Sequence, residues 1–307
     1  SCGQGCLRTQ LTYEPMTCVI NPTVGREKEM TITRAATQKK VLVIGGGPGG
    51  LEAARVSALR GHQVTLWEKA SKLGGQLNLA VIPPMKQELS KWIIYLSTQV
   101  NKLPVKVELN KEATPELIRK EKPDVVIVAT GGKPLIPEIP GIEGNKVVTA
   151  TDVLEGKLAI SRGNVVIIGG GMVGCEIADM LADPGYNQTT GSVPATIIEM
   201  LADIGLDIIP QTRMLLLPKL KEKGVIAITS ATVKEIIEDG VIIIRGGKEE
   251  TIHGIDFIIL TCGTESVDDL SEQIKDTVPE VYVIGDAKAP RKALEAIAEA
   301  AEIARKI

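Results

Sequence analysis

Short, uninterrupted apolar runs set the pattern of this chain, each bounded by glycine or polar residues. Val41–Ile44, Asp124–Ala129, Asn164–Ile168, Ala195–Glu199 and Phe257–Leu260 read as strands buried on both faces, as in a parallel sheet between helices. Elsewhere the apolar period lengthens to that of a helix: Leu51–Arg60, ended by Gly61, Glu88–Val100, Val173–Ala182, and Gln211–Lys223, ended by Gly224. Gln63–Glu68 and Val225–Thr229 add two strands, and Ala70–Pro84 reads as a loop carrying Leu73-Gly74-Gly75-Gln76. A second rhythm follows. Thr232–Glu238, Val241–Arg245 and Lys248–His253 are separated by Asp239-Gly240 and Gly246-Gly247, which predicts strands joined by tight turns. Residues 1–27 form an irregular leader and Lys28–Lys39 a polar linker. Asp183–Pro194 is polar with Pro, Gly and Asn, and reads as a surface excursion. The tail gives one more strand, Val281–Ile284, then Gly285-Asp286 and a helix from Pro290 to the end. That strand and helix have no place in the unit before them; they complete the first unit if the second is inserted into it.

Two of the strand–helix junctions carry glycine fingerprints. The first reads Gly45-Gly46-Gly47-Pro48-Gly49-Gly50 after Val41–Ile44, with Glu68 closing the next strand. The second reads Gly169-Gly170-Gly171-Met172-Val173-Gly174 after Val165–Ile168, with Glu199 closing its own next strand. Such glycines let backbone N–H groups approach a pyrophosphate at a helix N-terminus, and the carboxylate beyond suits ribose hydroxyls. Two copies imply two dinucleotides. The expected architecture is α/β: two doubly wound Rossmann-like three-layer domains, each with a small antiparallel crossover sheet. The boundaries fall at 28–150 with 264–307 for the outer domain and 151–263 for the inserted one.

Composition narrows the partners. A net charge of −3 gives no reason to expect nucleic acid or an anionic membrane, and aromatics at 2% argue against base stacking. No apolar stretch approaches bilayer length, and no secretory leader is evident, so a cytoplasmic location is the expectation. The sequon Asn187-Gln188-Thr189 is then idle. Homo-oligomerisation is left open. Of the five cysteines, Cys175 and Cys262 read as small buried residues. Cys2, Cys6 and Cys18 cluster in the leader, a pattern that suggests metal rather than disulfide but lacks a fourth ligand nearby. No close cysteine pair flanks either nucleotide site, which disfavours disulfide reduction. His62 and His253 receive no catalytic role.

The order Gly45–Gly50, Glu68, Ala129-Thr130-Gly131, Gly169–Gly174, Glu199 and Gly285-Asp286 resembles the glutathione-reductase-like two-dinucleotide flavoproteins. The leader, with Cys2, Cys6, Cys18 and then Asn21-Pro22-Thr-Val-Gly25-Arg26-Glu27, is similar to the iron–sulfur segment of the 2,4-dienoyl-CoA reductase, 2-enoate reductase and trimethylamine dehydrogenase group. That resemblance implies a 4Fe-4S remnant at 1–27, its first cysteine three residues before Cys2, and an upstream FMN-binding barrel in the same polypeptide. It assigns FAD to the outer domain, through Gly45, Gly47, Pro48, Gly49, Gly50, Glu68, Lys69, Gly75, Gln76, Thr130, Gly131, Gly285 and Asp286. It assigns NAD(P)H to the inserted domain, through Gly169, Gly171, Met172, Val173, Gly174, Glu176, Glu199, Cys262 and Gly263. The carboxylate of Glu199 favours NADH over NADPH, the nearest arginine being Arg213. No catalytic acid is implied, because the cofactors carry hydride transfer. The function this implies is an electron-entry module: hydride passes from NADH to FAD, and electrons go onward via a 4Fe-4S cluster to an FMN barrel missing from this chain, which reduces an enoate or enoyl thioester. Two alternatives stand beside it: an ADP-binding structural domain of an amine-dehydrogenase-like enzyme, and a free-standing FAD-dependent NADH oxidase or diaphorase.

Overall fold

A computed structural model describes residues 2–185 and 191–307, so the sequon at 187–189 and part of the 183–194 excursion lie outside the described residues. The chain divides into two compact units. The first comprises Ser1–Val81, Gln87–Lys133 and Glu265–Ile307, the second Ile82–Lys86 and Pro134–Thr264.

In the first unit five parallel strands run in the order Glu280–Val283, Val125–Val128, Lys40–Ile44, Gln63–Trp67, Val105–Glu108. The C-terminal strand indeed returns to this sheet, Val283 lying beside Val128. Because successive side chains face opposite ways, the run Val41–Ile44 feeds two cores at once. Val41 and Val43 join Leu51, Ala54, Leu66, Ile127, Ile297 and Ala300 on one face. Leu42 and Ile44 join Trp67, Val126, Val128, Ile118 and Ile274 on the other. Both faces are therefore apolar, and a continuous rather than alternating run is the consequence.

The second unit repeats the plan with Val147–Thr149, Phe257–Leu260, Val165–Ile168, Ala195–Ile198 and Ile226–Ile228, all parallel in that order. One face packs Val165, Ile167 and Ile197 with Ile177 and Leu181. The other packs Val166, Ile168 and Ile258 against Val233, Ile236, Val241 and Ile243 of an antiparallel sheet. That sheet pairs Ala231–Ile237, Gly240–Arg245 and Lys248–His253.

Four expectations change. Besides the short segment Ile82–Lys86, the second unit begins at Pro134 rather than at residue 151, because Val147–Thr149 pairs with Phe257–Leu260 and so belongs to the inserted sheet. The antiparallel layer is found in the second unit; in the first, the segment between the strands Val105–Glu108 and Val125–Val128 forms the helix Pro115–Glu121. Thr114 accepts from the Leu117 N–H at 3.3 Å and Pro115 opens the helix, signals that favour a capped helix over a hairpin. The leader contains a short helix, Cys6–Thr12, and the loop after Ala70 contains Leu77–Ala80. The last helix starts at Ala293 rather than Pro290, after a 3-10 turn at Gly285–Ala287. Among the described residues no helix is long and apolar enough to cross a membrane.

Candidate functional site: two glycine cradles

Each fingerprint folds into the same set of bonds. In the first, the Gly46 N–H donates to Glu68 Oε2 at 2.6 Å and the Ala70 N–H to Glu68 Oε1 at 2.7 Å. The Gly74 N–H closes the loop on the Gly46 carbonyl at 2.8 Å. In the second, the Gly170 N–H donates to Glu199 Oε2 at 2.6 Å and the Leu201 N–H to Glu199 Oε1 at 2.8 Å. The Gly205 N–H meets the Gly170 carbonyl at 2.6 Å. Both carboxylates are buried, at 7% and 8% exposure, and each accepts two backbone N–H bonds. Sequence reasoning quoted Gly74 in the Leu73–Gln76 segment but not its closing bond, and missed Gly205. A signal existed: Gly74 follows Glu68 by six residues, and Gly205 follows Glu199 by six.

The glycines that begin and end each fingerprint have no room for a side chain. Gly45 and Gly169 stand at φ +107° and +106°, a region that suits glycine. A Cβ on Gly50 would lie 1.9 Å from the Gly45 carbonyl oxygen, and one on Gly174 2.1 Å from that of Gly169. The helices that follow, Pro48–Leu59 and Met172–Leu181, open on Gly47 and Gly171.

The remaining first-unit residues named from the sequence fall into place unevenly. Gly75 faces Gly47, where an added Cβ would approach Gly47 Cα to 2.9 Å. Gln76 Nε2 donates to the Gly132 carbonyl at 3.1 Å, and the Thr130 hydroxyl donates to the Val267 carbonyl. Gly131 (φ +78°) accepts from the Val267 N–H at 3.0 Å. The Gly285 N–H donates to Glu299 Oε2 at 2.9 Å, and the Arg291 N–H to Asp286 Oδ1 at 3.0 Å; burial pushes the Asp286 carboxyl up. Lys69 points to solvent.

In the second unit, Cys175 Sγ donates to the Gly170 carbonyl at 3.5 Å, and burial pushes its thiol up to about 12. Cys262 Sγ donates to the Ile168 carbonyl at 3.3 Å and is likewise raised by burial. Cys175 is the small buried residue the sequence led us to expect, whereas Cys262 is half-buried; a raised thiol in either makes it a poor nucleophile. Gly263 (φ +113°) has open space where a Cβ would be and accepts from the Leu135 N–H at 3.0 Å. Val173 is exposed. Two residues not foreseen stand at this site: Lys86, paired with Glu176, and Asp207, which accepts from the Met172 N–H at 2.8 Å.

Burial pushes the Glu176 carboxyl up, against the opposing pull of Lys86. The folded chain then holds that proton to higher pH than the unfolded chain does, so stability falls as pH rises from the ordinary carboxylate range through the raised value. Glu176→Gln carries no such proton. Thermal melts between about pH 4 and 7 are expected to show wild type losing stability relative to Glu176→Gln as pH rises; parallel curves would refute the shift.

Cys2, Cys6 and Cys18 are free thiols, and among the described residues no group of three or more His, Cys, Asp or Glu side chains is placed to hold a metal ion. Cys2 packs against the first unit's apolar core, whereas Cys18 lines a cavity of about 250 Å³ with Met16, Pro22 and Leu294. The leader as it stands does not fit a four-iron cluster.

The profile of the pyridine nucleotide-disulphide oxidoreductases matches residues 39–300. The chain belongs to this family. Membership of this oxidoreductase family supports FAD and NAD(P)H as the nucleotides of the two units. Relatives include a metal reductase of Desulforamulus reducens, 37% identical over 97% of this chain and 48% of that protein, and an NADH oxidase of Thermoanaerobacter brockii, 37% identical over 100% and 47%. A solved 2-naphthoyl-CoA reductase superposes with a TM-score of 0.91 at 36% identity, over 100% of this chain and 46% of its own. The chain spans about half the length of the curated relatives it matches.

Proposed function

We propose that this chain is the electron-entry module of a longer NADH-dependent flavin oxidoreductase. The observation that carries this is the duplicated cradle, a buried glutamate bonded to the N–H of the second glycine in each fingerprint. The first unit takes FAD: Gly45–Gly50 and Gly75 leave the phosphates room, Glu68 accepts from the adenosine ribose, and Asp286 from the ribityl hydroxyls. When bound, FAD supplies the two-electron acceptor for the hydride of NADH. The second unit holds NADH by Gly169–Gly174, with Glu199 accepting from ribose hydroxyls. Thr130, Gly131 and Gln76 border the flavin in this reading, and Met172, Val173, Cys262 and Gly263 the nicotinamide nucleotide.

NADH is preferred to NADPH because a 2′-phosphate would meet the Glu199 carboxylate. Arg213, the nearest arginine in sequence, is already committed: its Nε donates to the Ile204 carbonyl at 2.9 Å and its guanidinium pairs with Asp203. The FMN barrel belongs to the remainder of the longer protein, and no electron transfer is routed through the three thiols here. The kinship with a 2-naphthoyl-CoA reductase supports an enoate or enoyl thioester as the final acceptor.

The test is an anaerobic absorbance spectrum of the FAD-supplemented chain before and after NADH. A bound-flavin spectrum bleached by NADH, and far less by NADPH, is expected. A chain that retains ADP but takes up no flavin overturns the reading in favour of an ADP-binding structural domain.

A further inference from the structure

The last helix of the first unit, Ala293–Lys306, reaches both the first fingerprint and the Gly285-Asp286 turn. A Cβ on Gly49 would lie 3.3 Å from the Ala296 carbonyl oxygen, and one on Gly285 3.2 Å from Ala296 Cβ. Three residues on, and so on the same helix face, Glu299 Oε2 accepts from the Gly285 N–H at 2.9 Å. Glu299 is itself clasped: its Oε1 accepts from the Arg291 guanidinium at 2.6 Å and from Lys288 Nζ at 3.3 Å. Burial alone would push its carboxyl up, yet the bonds to Arg291 and to the Gly285 N–H hold it below the usual range. Asp286 is thereby fixed at three points. The Gly285 N–H just before it is held by Glu299, the Ser266 hydroxyl donates to its carbonyl at 2.7 Å, and the Arg291 N–H donates to its Oδ1 at 3.0 Å. Among the described residues nothing donates to Asp286 Oδ2, the oxygen left for the ribityl hydroxyls in the reading above.

We propose that Glu299 is a positioning residue of the FAD site: by holding the Gly285 N–H it sets where Asp286 presents its carboxylate to the ribityl chain. This rests on the FAD reading of the first unit. Gly285 needs such a hold. Its φ of +63° lies in the left-handed region, and glycine, lacking a Cβ, passes between that region and others at little cost. The sheet fixes the chain only up to the residue before, where the Ile284 N–H donates to the Val128 carbonyl at 3.0 Å. The Gly285 carbonyl belongs to the turn that follows, accepting from the Lys288 N–H at 3.0 Å and the Ala289 N–H at 3.1 Å. The Glu299 carboxylate takes the N–H between these two systems and so ties the end of the sheet to the turn. It acts through Asp286 and not on the cofactor itself.

Wild type, Glu299→Ala and Glu299→Gln are titrated with FAD by flavin fluorescence, with circular dichroism confirming the fold. ADP is then titrated as a competitor of FAD, so that only the first unit is read. Glu299→Ala is expected to bind FAD at least about tenfold more weakly, the scale of a lost hydrogen bond to a charged group. ADP has the pyrophosphate and adenosine but no ribityl chain, and is expected to compete with an unchanged dissociation constant. Glu299→Gln keeps an oxygen for the Gly285 N–H, and its FAD affinity is expected to fall between the other two, again with ADP unchanged. Equal FAD binding by wild type and Glu299→Ala overturns the positioning role and leaves the FAD reading intact. Equal weakening of FAD and ADP overturns it too, as a loss of structure at large, and so does a Gln variant as weak as Ala. Wild type that takes up no FAD overturns the FAD reading and the positioning role together.

Discussion

Gly174→Ala is expected to raise the NADH concentration needed to reduce the flavin at least about 100-fold, equivalent to about 2.7 kcal/mol, with the flavin still bound. The added Cβ would stand 2.1 Å from the Gly169 carbonyl oxygen and 3.0 Å from Thr261 Oγ1. Neither can yield cheaply. The Gly169 N–H is tied to the Ile198 carbonyl at 2.9 Å, and its own carbonyl accepts from the Thr261 hydroxyl at 2.6 Å. The strand-to-helix turn must therefore open, and the backbone amides of Gly171–Gly174, proposed to face the pyrophosphate, move with it. Gly50→Ala is the mirror variant: its Cβ would meet the Gly45 carbonyl oxygen at 1.9 Å, so FAD is lost while NADH binding persists. Flavin content after gel filtration, together with NADH titration, separates the two. Retention of both activities in either variant would refute the placement of that cofactor.

The second large effect is on stability. Asp179→Ala is expected to lower the unfolding free energy by about 3 kcal/mol, the scale for removing one partner of a buried ion pair. Asp179 is 4% exposed on the second fingerprint helix. Its carboxylate accepts from Lys219 Nζ at 2.8 Å and Lys223 Nζ at 2.6 Å, and its backbone carbonyl takes a further bond from Lys223 at 2.9 Å. Lys223 is itself nearly buried and also pairs with Asp183 at 2.7 Å. Losing Asp179 leaves that ammonium desolvated with one carboxylate instead of two. Urea titration checks this through the midpoint at unchanged slope, and Asp179→Ala with Lys223→Met is expected to recover part of the loss. A change in the single variant below about 1 kcal/mol would place the network among surface pairs.

These residues show what sequence patterning reaches. Gly174 was legible because its chemistry is local: the fingerprint, the strand before it and the helix after it lie within a dozen residues. Glu68 and Glu199 were legible because a strand end fixes their place beside the loop. Asp179 was not, since Lys219 and Lys223 approach it from a helix some forty residues away, and nothing in either helix alone names the other. Asp207 and Lys86 escaped for the same reason. The first domain boundary slipped because Val147–Thr149 is too short to declare which sheet it joins. The three leader cysteines mark a limit of another kind: their spacing is legible, but spacing by itself does not bring side chains together.

The sequence by itself determined the two parallel sheets, the insertion of one unit in the other, and the two cradles. These follow from apolar runs buried on both faces and from glycines that no other residue replaces. Only the tertiary structure decided which charges meet: Lys86 with Glu176, Lys223 with Asp179, and Asp207 with the amide of Met172. Such pairings depend on where distant segments come to rest in space, and burial sets their strength by removing the water that would otherwise screen them.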